Sequence, residues 1–316
     1  MVNLTGDEVT GQSSNLSSVV TIVIVTSPTA SNPNTEMIDR CIAGVVRSFA
    51  ALKSCPIIIA CDGVQVVDDS VPKKHQQQAK TKRIFGKCTK ESFDRYEEYC
   101  KALEAREWLI VDRQTEWKGF ALTLWSALKQ VTTPLVMVLP HDYELSPSAL
   151  VKIEICGMLH EMMEFTDINY IGLPNPRSST LKSRHAEALR DLHTRTIVRG
   201  DMEISLEPMA MWKENPHFAK VEAYQSIVFS RHYKRGQFIE DTLGQEMLAN
   251  IKEKGRDAFH GTYLLSLDLP CSFHMDGPRY LPILERQALH YSVQDFEVEA
   301  AEQASHFVSK RVHNHI

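Results

Sequence analysis

No stretch of this 316-residue chain is apolar for long. Its first apolar run, Val19 to Val25, falls far short of the roughly 20 residues that a membrane-spanning helix needs. Basic residues are not in excess. Lys and Arg number 35 against 40 Asp and Glu, for a net charge of -5, and general nucleic-acid binders are normally basic overall. Cysteine is scarce: there are seven, an odd number, with no C-x-x-C or zinc-ribbon spacing. That excludes a disulfide scaffold, which is short and cysteine-dense. Cys41, Cys55 and Cys61 stand among apolar residues, where small buried thiols are common. The glycine signatures of phosphate and nucleophile sites are missing too. There is no G-x-G-x-x-G after the first predicted strand, no G-x-x-x-x-G-K-[ST] and no G-x-S-x-G, which argues against dinucleotide, P-loop and α/β-hydrolase sites.

What is present is ordinary globular material, 43% hydrophobic and 24% charged, long enough for one large domain. Residues 1–18 are polar and lack the basic n-region of a signal peptide; they are expected to be a disordered tail. Val19 to Val25 is β-branched and bounded by Ser-Pro, and it reads as a buried strand. Glu36 to Leu52 has helical spacing, with Met37, Cys41, Val45, Phe49 and Leu52 on one face. Pro56 to Cys61 is a second buried strand ending at Asp62-Gly63. Residues 68–90 are polar and carry the basic cluster Lys73, Lys74, Lys80, Lys82, Arg83 and Lys87. A helix over Glu91 to Arg106, a strand from Trp108 to Asp112, a helix over Phe120 to Val131 and a strand from Pro134 to Leu139 follow. This βαβα alternation predicts a doubly wound sheet.

The second half is less regular. The pattern predicts a helix over Ser148 to Met163 and a short strand at Asn169 to Leu173. Residues 175–200 read as loop plus helix, and Tyr224 to Arg231 as mixed structure. Glu240 to Lys254 reads as a helix closed by Gly255. Tyr263 to Leu267 is a strand, followed by Cys271-Ser-Phe-His-Met-Asp-Gly277. The chain after Arg279 reads as a short helix and tail.

Ligands of open α/β sheets bind at the carboxyl ends of the strands. Here those ends carry Thr26-Ser27-Pro28, Asp62-Gly63 and His141-Asp142. Any one polar strand end is equally explained by its meeting water; three of them converging on one edge point to a site.

The order strand, helix, Asp62-Gly63, strand, Gly119-Phe-Ala, helix, Leu-Val-Met-Val-Leu-Pro-His-Asp resembles the first half of family-2-like nucleotide-sugar glycosyltransferases. The likeness continues through Pro147-Ser-Ala-Leu150, Phe238-Ile-Glu-Asp241 and His274-Met-Asp-Gly277, covering residues 19–280 by pattern. It implies an α/β fold of the glycosyltransferase-A type, with a Rossmann-like, mixed, mostly parallel sheet and helices on both faces. Residues 19–290 would form one domain, divided into a nucleotide-sugar half (19–145) and an acceptor half (146–290), with 291–316 as a C-terminal tail or helix.

By the same resemblance, Thr26, Ser27, Pro28, Asp62, Gly63, Gly119, His141 and Asp142 would hold the nucleotide sugar. Asp142, His274 and His141 would hold a metal, Mn2+ or Mg2+; an oxygen and nitrogen ligand set suits Mn2+ better. Asp241 would be the catalytic base, with Glu240 orienting acceptor or base. The implied activity is transfer of a sugar from a nucleotide-diphosphate donor to a hydroxyl acceptor, metal-assisted and with inversion. Pro140-His141-Asp142 departs from the family's D-x-D, so a catalytically inactive binding or scaffold protein is the alternative. A nucleotidyltransferase is disfavoured by the loop Ser27 to Pro33, which lacks that class's Gly/Arg-rich composition.

Each assignment has a structural counterpart. Glu240-Asp241 equally suits a helix N-terminus, and His274 a buried structural histidine. Trp212 with Tyr224 forms either an acceptor-side sugar wall or core packing. The basic cluster is either a diphosphate-covering loop or solvated surface. The expected partners are a nucleotide sugar and a hydroxyl acceptor, without nucleic acid. The expected location is the cytoplasm, or the Golgi lumen if an anchor precedes the sequence.

Overall fold

The computed structural model describes residues 16–66, 87–150, 154–199 and 202–275. The strands are β1 (Val20–Thr26), β2 (Ile57–Cys61), β3 (Gln65–Val66), β4 (Lys87–Cys88), β5 (Ile110–Arg113), β6 (Leu135–Pro140), β7 (Tyr143–Leu145), β8 (Tyr170–Gly172), β9 (Arg195–Arg199), β10 (Met202–Pro208), β11 (His217–Lys220), β12 (Thr262–Leu265) and β13 (Ser272–His274). The principal helices are α1 (Glu36–Ser48), α2 (Lys90–Glu104), α3 (Phe120–Leu128), α4 (Ile155–Glu164) and α5 (Gln245–Lys254).

Nine strands form one sheet in the order β5-β2-β1-β6-β11-β8-β12-β10-β9. Only β11 and β10 run against the others. This is the mixed, mostly parallel sheet that the resemblance implies. The β-branched runs explain its centre. Along β1, Val20, Ile22 and Ile24 enter one core and Val23 and Val25 the other; Ile57, Ile59 against Ile58, Ala60 do the same on β2, and Leu135, Met137, Leu139 against Val136, Val138 on β6. A strand apolar on both faces is stable only between two helical layers. Residues of α1, α2 and α4 cover the first face, and those of α3 and α5 the second.

The elements differ from expectation in detail. Leu16 is buried and Leu16–Ser18 form a 3-10 turn, so ordered chain begins inside the expected tail; residues 1–15 lie outside the described residues. The first helix stops at Ser48, with a separate 3-10 turn at Ala50–Leu52. Pro147–Leu150 and α4 occupy the place of one long helix. Residues 195–199, expected as loop plus helix, are β9, whose partner β10 and the strand β11 were not anticipated. β9 is an edge strand with Val198 exposed, so its half-buried alternation is weaker than that of the inner strands. β11 has only four residues, yet it sits between β6 and β8. Of the basic cluster, Lys87 begins β4 and the rest lies outside the described residues, as do residues 276–316.

Beyond the β6–β11 and β7–β13 pairings, two loops cross at a close main-chain contact. The turn before α3 meets the 234–237 loop at Gly119 and Gly236, where Gly236 N–H donates to Lys118 O at 2.9 Å. Gly119 has φ +79, and a Cβ there would lie 2.6 Å from Gly236 Cα. Gly255 has φ +61 with open space around it. Backbone strain alone therefore applies to Gly255→Ala, whereas Gly119→Ala adds a collision of main chain with main chain. Urea denaturation should show Gly119→Ala losing roughly 2–4 kcal/mol and Gly255→Ala about 1–2 kcal/mol. Equal losses would remove the crossing as a constraint.

Candidate functional site

The chain passes from β1 outward to β2 and β5, then returns to β6 on the other side of β1. Ligands gather at such a reversal, outside the carboxyl ends of the strands. His141 and Asp142 leave β6 there. The His141 main-chain N–H and its ring Nδ1–H both donate to Val25 O, at 3.0 and 3.1 Å. With Nδ1 donating, Nε2 carries the lone pair; it is buried and lacks a hydrogen-bond partner among the described residues. Burial is the main influence on this ring and lowers its pKa, despite the adjacent Asp142.

Asp142 meets His274. Strand β13 pairs antiparallel with β7, setting His274 opposite Tyr143, and Met275 N–H donates to Asp142 O at 2.7 Å. This short ladder carries His274 Nε2 to 3.0 Å from Asp142 Oδ2. Burial pushes the Asp142 carboxyl up, but the hydrogen bond from His274 and the nearby imidazoles outweigh it and hold it below its ordinary value. The His274 ring stands edge-on to Tyr143. Glu144 pairs with Arg40 and Arg47 of α1, which fastens β7 from behind. His141 does not join Asp142 and His274: among the described residues no three His, Cys, Asp or Glu side chains are gathered to hold an ion.

At the ends of β1 and β2, Ser27 is exposed and Pro28 half-buried, whereas Thr26 is buried with its hydroxyl 3.2 Å from Tyr99 Oη on α2. Asp62 is also buried. One oxygen accepts from Lys118 N–H and the Thr123 hydroxyl, the other from Gly119 N–H, each at 2.9 Å. A carboxylate from β2 thus caps α3, satisfying donors that a helix start leaves open. Burial raises its pKa, and these bonds oppose the shift. Gly63 abuts the Glu116 backbone, where a Cβ would fall 2.3 Å from the Glu116 carbonyl. Thr26, Asp62 and Gly63, all buried, therefore shape this edge from beneath, and Ser27 and Pro28 form its surface.

The acidic pair Glu240-Asp241 stands in an unanticipated setting. Glu240–Gly244 form a π-turn leading into α5, with Gly244 N–H donating to Ile239 O at 3.0 Å. Wide turns of this kind recur at functional sites. Asp241 is exposed, and Glu240 pairs with the buried ammonium of Lys213. Behind them lies Glu214, which sequence reasoning missed. Its Oε1 accepts from Ile239 N–H at 2.5 Å. Burial chiefly, with the like charges of Glu240 and Asp241, pushes its pKa up to about 8 against the bonds from the Ile239 and Glu240 amides. Asn215 completes the bridge, accepting from the Tyr143 hydroxyl at 3.0 Å. The only signal in the sequence is a charged Lys-Glu-Asn-Pro between Trp212 and His217-Phe-Ala-Lys220.

Trp212 and Tyr224 are not a sugar-stacking wall. They are 0% and 1% exposed and pack edge-on against each other. Tyr170 and His217 complete the cluster. His217 Nδ1–H donates to Asn215 O at 2.6 Å, so its Nε2 accepts from the Tyr224 hydroxyl, also at 2.6 Å. Burial lowers the His217 pKa to about 4. The indole completes this core rather than facing a ligand.

The Glu214 carboxyl generates a stability prediction. Its folded-state pKa lies above the ordinary 4.5, so the folded protein holds this proton more tightly than the unfolded chain. The contribution is full below pH 4.5 and fades as pH rises to about 8, an effect of roughly 3–5 kcal/mol. Glu214→Gln cannot ionise. Denaturation midpoints followed across this window should fall less with rising pH in the variant than in the parent; parallel curves would refute the assignment.

No protein-family model matches the chain, and no curated protein matches its sequence. Solved structures similar to it include the mannosyltransferase PcManGT from Pyrobaculum calidifontis in complex with GDP-Man and Mn2+, at 12% identity and TM-score 0.39 over 78% of this chain and 56% of that one. Another is S. aureus TarS in complex with UDP-GlcNAc, at 9% identity and TM-score 0.39, covering 83% of this chain and 62% of that one. A third is glucosyl-3-phosphoglycerate synthase from Mycobacterium tuberculosis with Mn2+, UDP and glucosyl-3-phosphoglycerate, at 13% identity and TM-score 0.40, covering 94% of this chain and 86% of that one.

Proposed function

We propose that this protein transfers a sugar from a nucleotide-diphosphate donor to a hydroxyl acceptor, with inversion. The observation that carries this reading is the contact of Asp142 with His274 at the chain reversal, 3.0 Å apart and built by the β7–β13 ladder. The nucleotide lies over Ser27 and Pro28. Asp62 holds the Lys118–Gly119 turn beside it.

One carboxylate and one imidazole, with the rest of the sphere supplied by substrate phosphates and water, suit a divalent ion shared with the donor, Mn2+ better than Mg2+. Such an ion would neutralise the diphosphate as a Lewis acid. Asp241 accepts the proton of the acceptor hydroxyl. The acceptor oxygen bonds to the anomeric carbon as the bond from that carbon to the diphosphate oxygen breaks. Lys213 holds Glu240 so that the neighbouring Asp241 stays directed at the site. A second reading, a binding protein without turnover, is favoured by Pro140 standing where the family has the first aspartate of its D-x-D.

Two measurements decide between them. Calorimetry with UDP and with GDP, each with and without Mn2+, should show metal-dependent binding that Asp142→Asn weakens by about tenfold or more. Unchanged binding in that variant would end the metal assignment. With UDP-glucose, UDP-GlcNAc and GDP-mannose as donors, Asp241→Asn should lower turnover by roughly two to four orders of magnitude, with nucleotide affinity preserved. Near-parental turnover would reassign Asp241 to the helix N-terminus. Metal-dependent nucleotide binding with no donor consumed by the parent would favour the binding protein.

A further inference from the structure

The segment Lys213-Glu214-Asn215 touches both halves of the site. Lys213 Nζ pairs with Glu240, Glu214 Oε1 accepts from Ile239 N–H at 2.5 Å, and Asn215 Oδ1 accepts from Tyr143 Oη at 3.0 Å. The same segment is anchored from the core. The Tyr170 hydroxyl donates to Lys213 O at 3.2 Å, and His217 Nδ1–H donates to Asn215 O at 2.6 Å. Tyr170 and His217 are 0% and 1% exposed. Three consecutive side chains thus reach outward to the residues flanking Asp241 and Asp142, while their main chain is held by rigid aromatics.

We propose that Glu214 is a positioning residue for catalysis: its carboxyl oxygen holds the Ile239 amide and so sets where the π-turn presents Asp241. This rests on the transferase reading above. The π-turn leaves its first amides without partners inside the helix. A half-buried acceptor aimed at them fixes the turn as a cap would, but from a neighbouring segment instead of the preceding residue. Displacement of a base by about 1 Å is enough to slow proton transfer strongly. Glu214 acts as an acceptor here, so an amide in its place performs the same task, and a side chain of similar size without an oxygen does not.

The test compares Glu214→Gln with Glu214→Met in the full chain. Amide hydrogen exchange at Ile239 and Glu240 should accelerate about tenfold or more in the Met variant and stay close to parental in the Gln variant. Turnover of whichever of UDP-glucose, UDP-GlcNAc or GDP-mannose the parent consumes should follow the same split. In the Met variant kcat should fall about tenfold or more with the donor KM within about twofold, and the Gln variant should recover most of kcat. The proposal is overturned by unchanged exchange and kcat in the Met variant, or by a Gln variant as impaired as the Met variant. It is equally overturned by a loss confined to KM. Should Glu214→Met not fold, Glu214→Gln against the parent decides: parental exchange and kcat support the proposal and impairment overturns it. A parent that consumes none of the donors sinks the transferase reading, while the exchange comparison still decides whether Glu214 holds the turn.

Discussion

The buried carboxylate of Asp62 is the constraint on which the site's frame depends. It leaves the end of β2 and receives Lys118 N–H, Gly119 N–H and the Thr123 hydroxyl. Without those bonds, two main-chain donors and a buried charge would stand uncompensated, the costliest condition a protein interior can meet. The held turn then receives Gly236 through Lys118 O. Five residues beyond Gly236 stands Asp241. Position is thus transmitted from the central sheet to the 234–237 loop through main chain, where bond lengths and angles leave little slack.

A second frame approaches from the other direction. The β7–β13 ladder ties the end of the described chain to the exit of β6 and brings His274 to Asp142. Tyr143 in that ladder donates to Asn215, which begins the link toward Glu214 and Glu240. The two frames close on one another: β2 to the 118–119 turn to Gly236, and β6 to β7 to Asn215 to Ile239. Their meeting place is the π-turn, and its geometry is set from both sides.

The electrostatics of the site follow from this closure. Glu214, Glu240 and Asp241 crowd one helix start, and Glu240 pairs with Lys213. The crowding and the burial together push Glu214 toward its neutral form, which lowers the repulsion that an exposed Asp241 carboxylate would otherwise feel. Asp142 is treated the opposite way: its histidine neighbours favour its charged form in spite of burial. Two carboxyl environments are driven apart within one site, a pattern typical of places where acid and base roles are divided.

The sheet centre was legible in the sequence because its code is local. β-branched runs such as Val20–Thr26 and Ile57–Cys61 are apolar on both faces, and only a strand between two helical layers tolerates that. The strand ends followed, and with them Asp62, His141 and Asp142 as residues on one edge. The pairing of His274 with Asp142 was readable only through family likeness, since 132 residues separate them in the chain and no periodicity links them. Other features were decided by tertiary contacts alone. A four-residue strand such as β11 carries too few residues for a period to show, and its place between β6 and β8 comes from pairing on both sides. Trp212 has the same side chain in a sugar wall as in a core, and only its neighbours Tyr170, His217 and Tyr224 determined which it is. Glu214 is one carboxylate among 40 acidic residues until folding half-buries it and aims it at an amide. Residue type and spacing specify which groups are available, whereas burial and the long-range approach of segments determine what each group does.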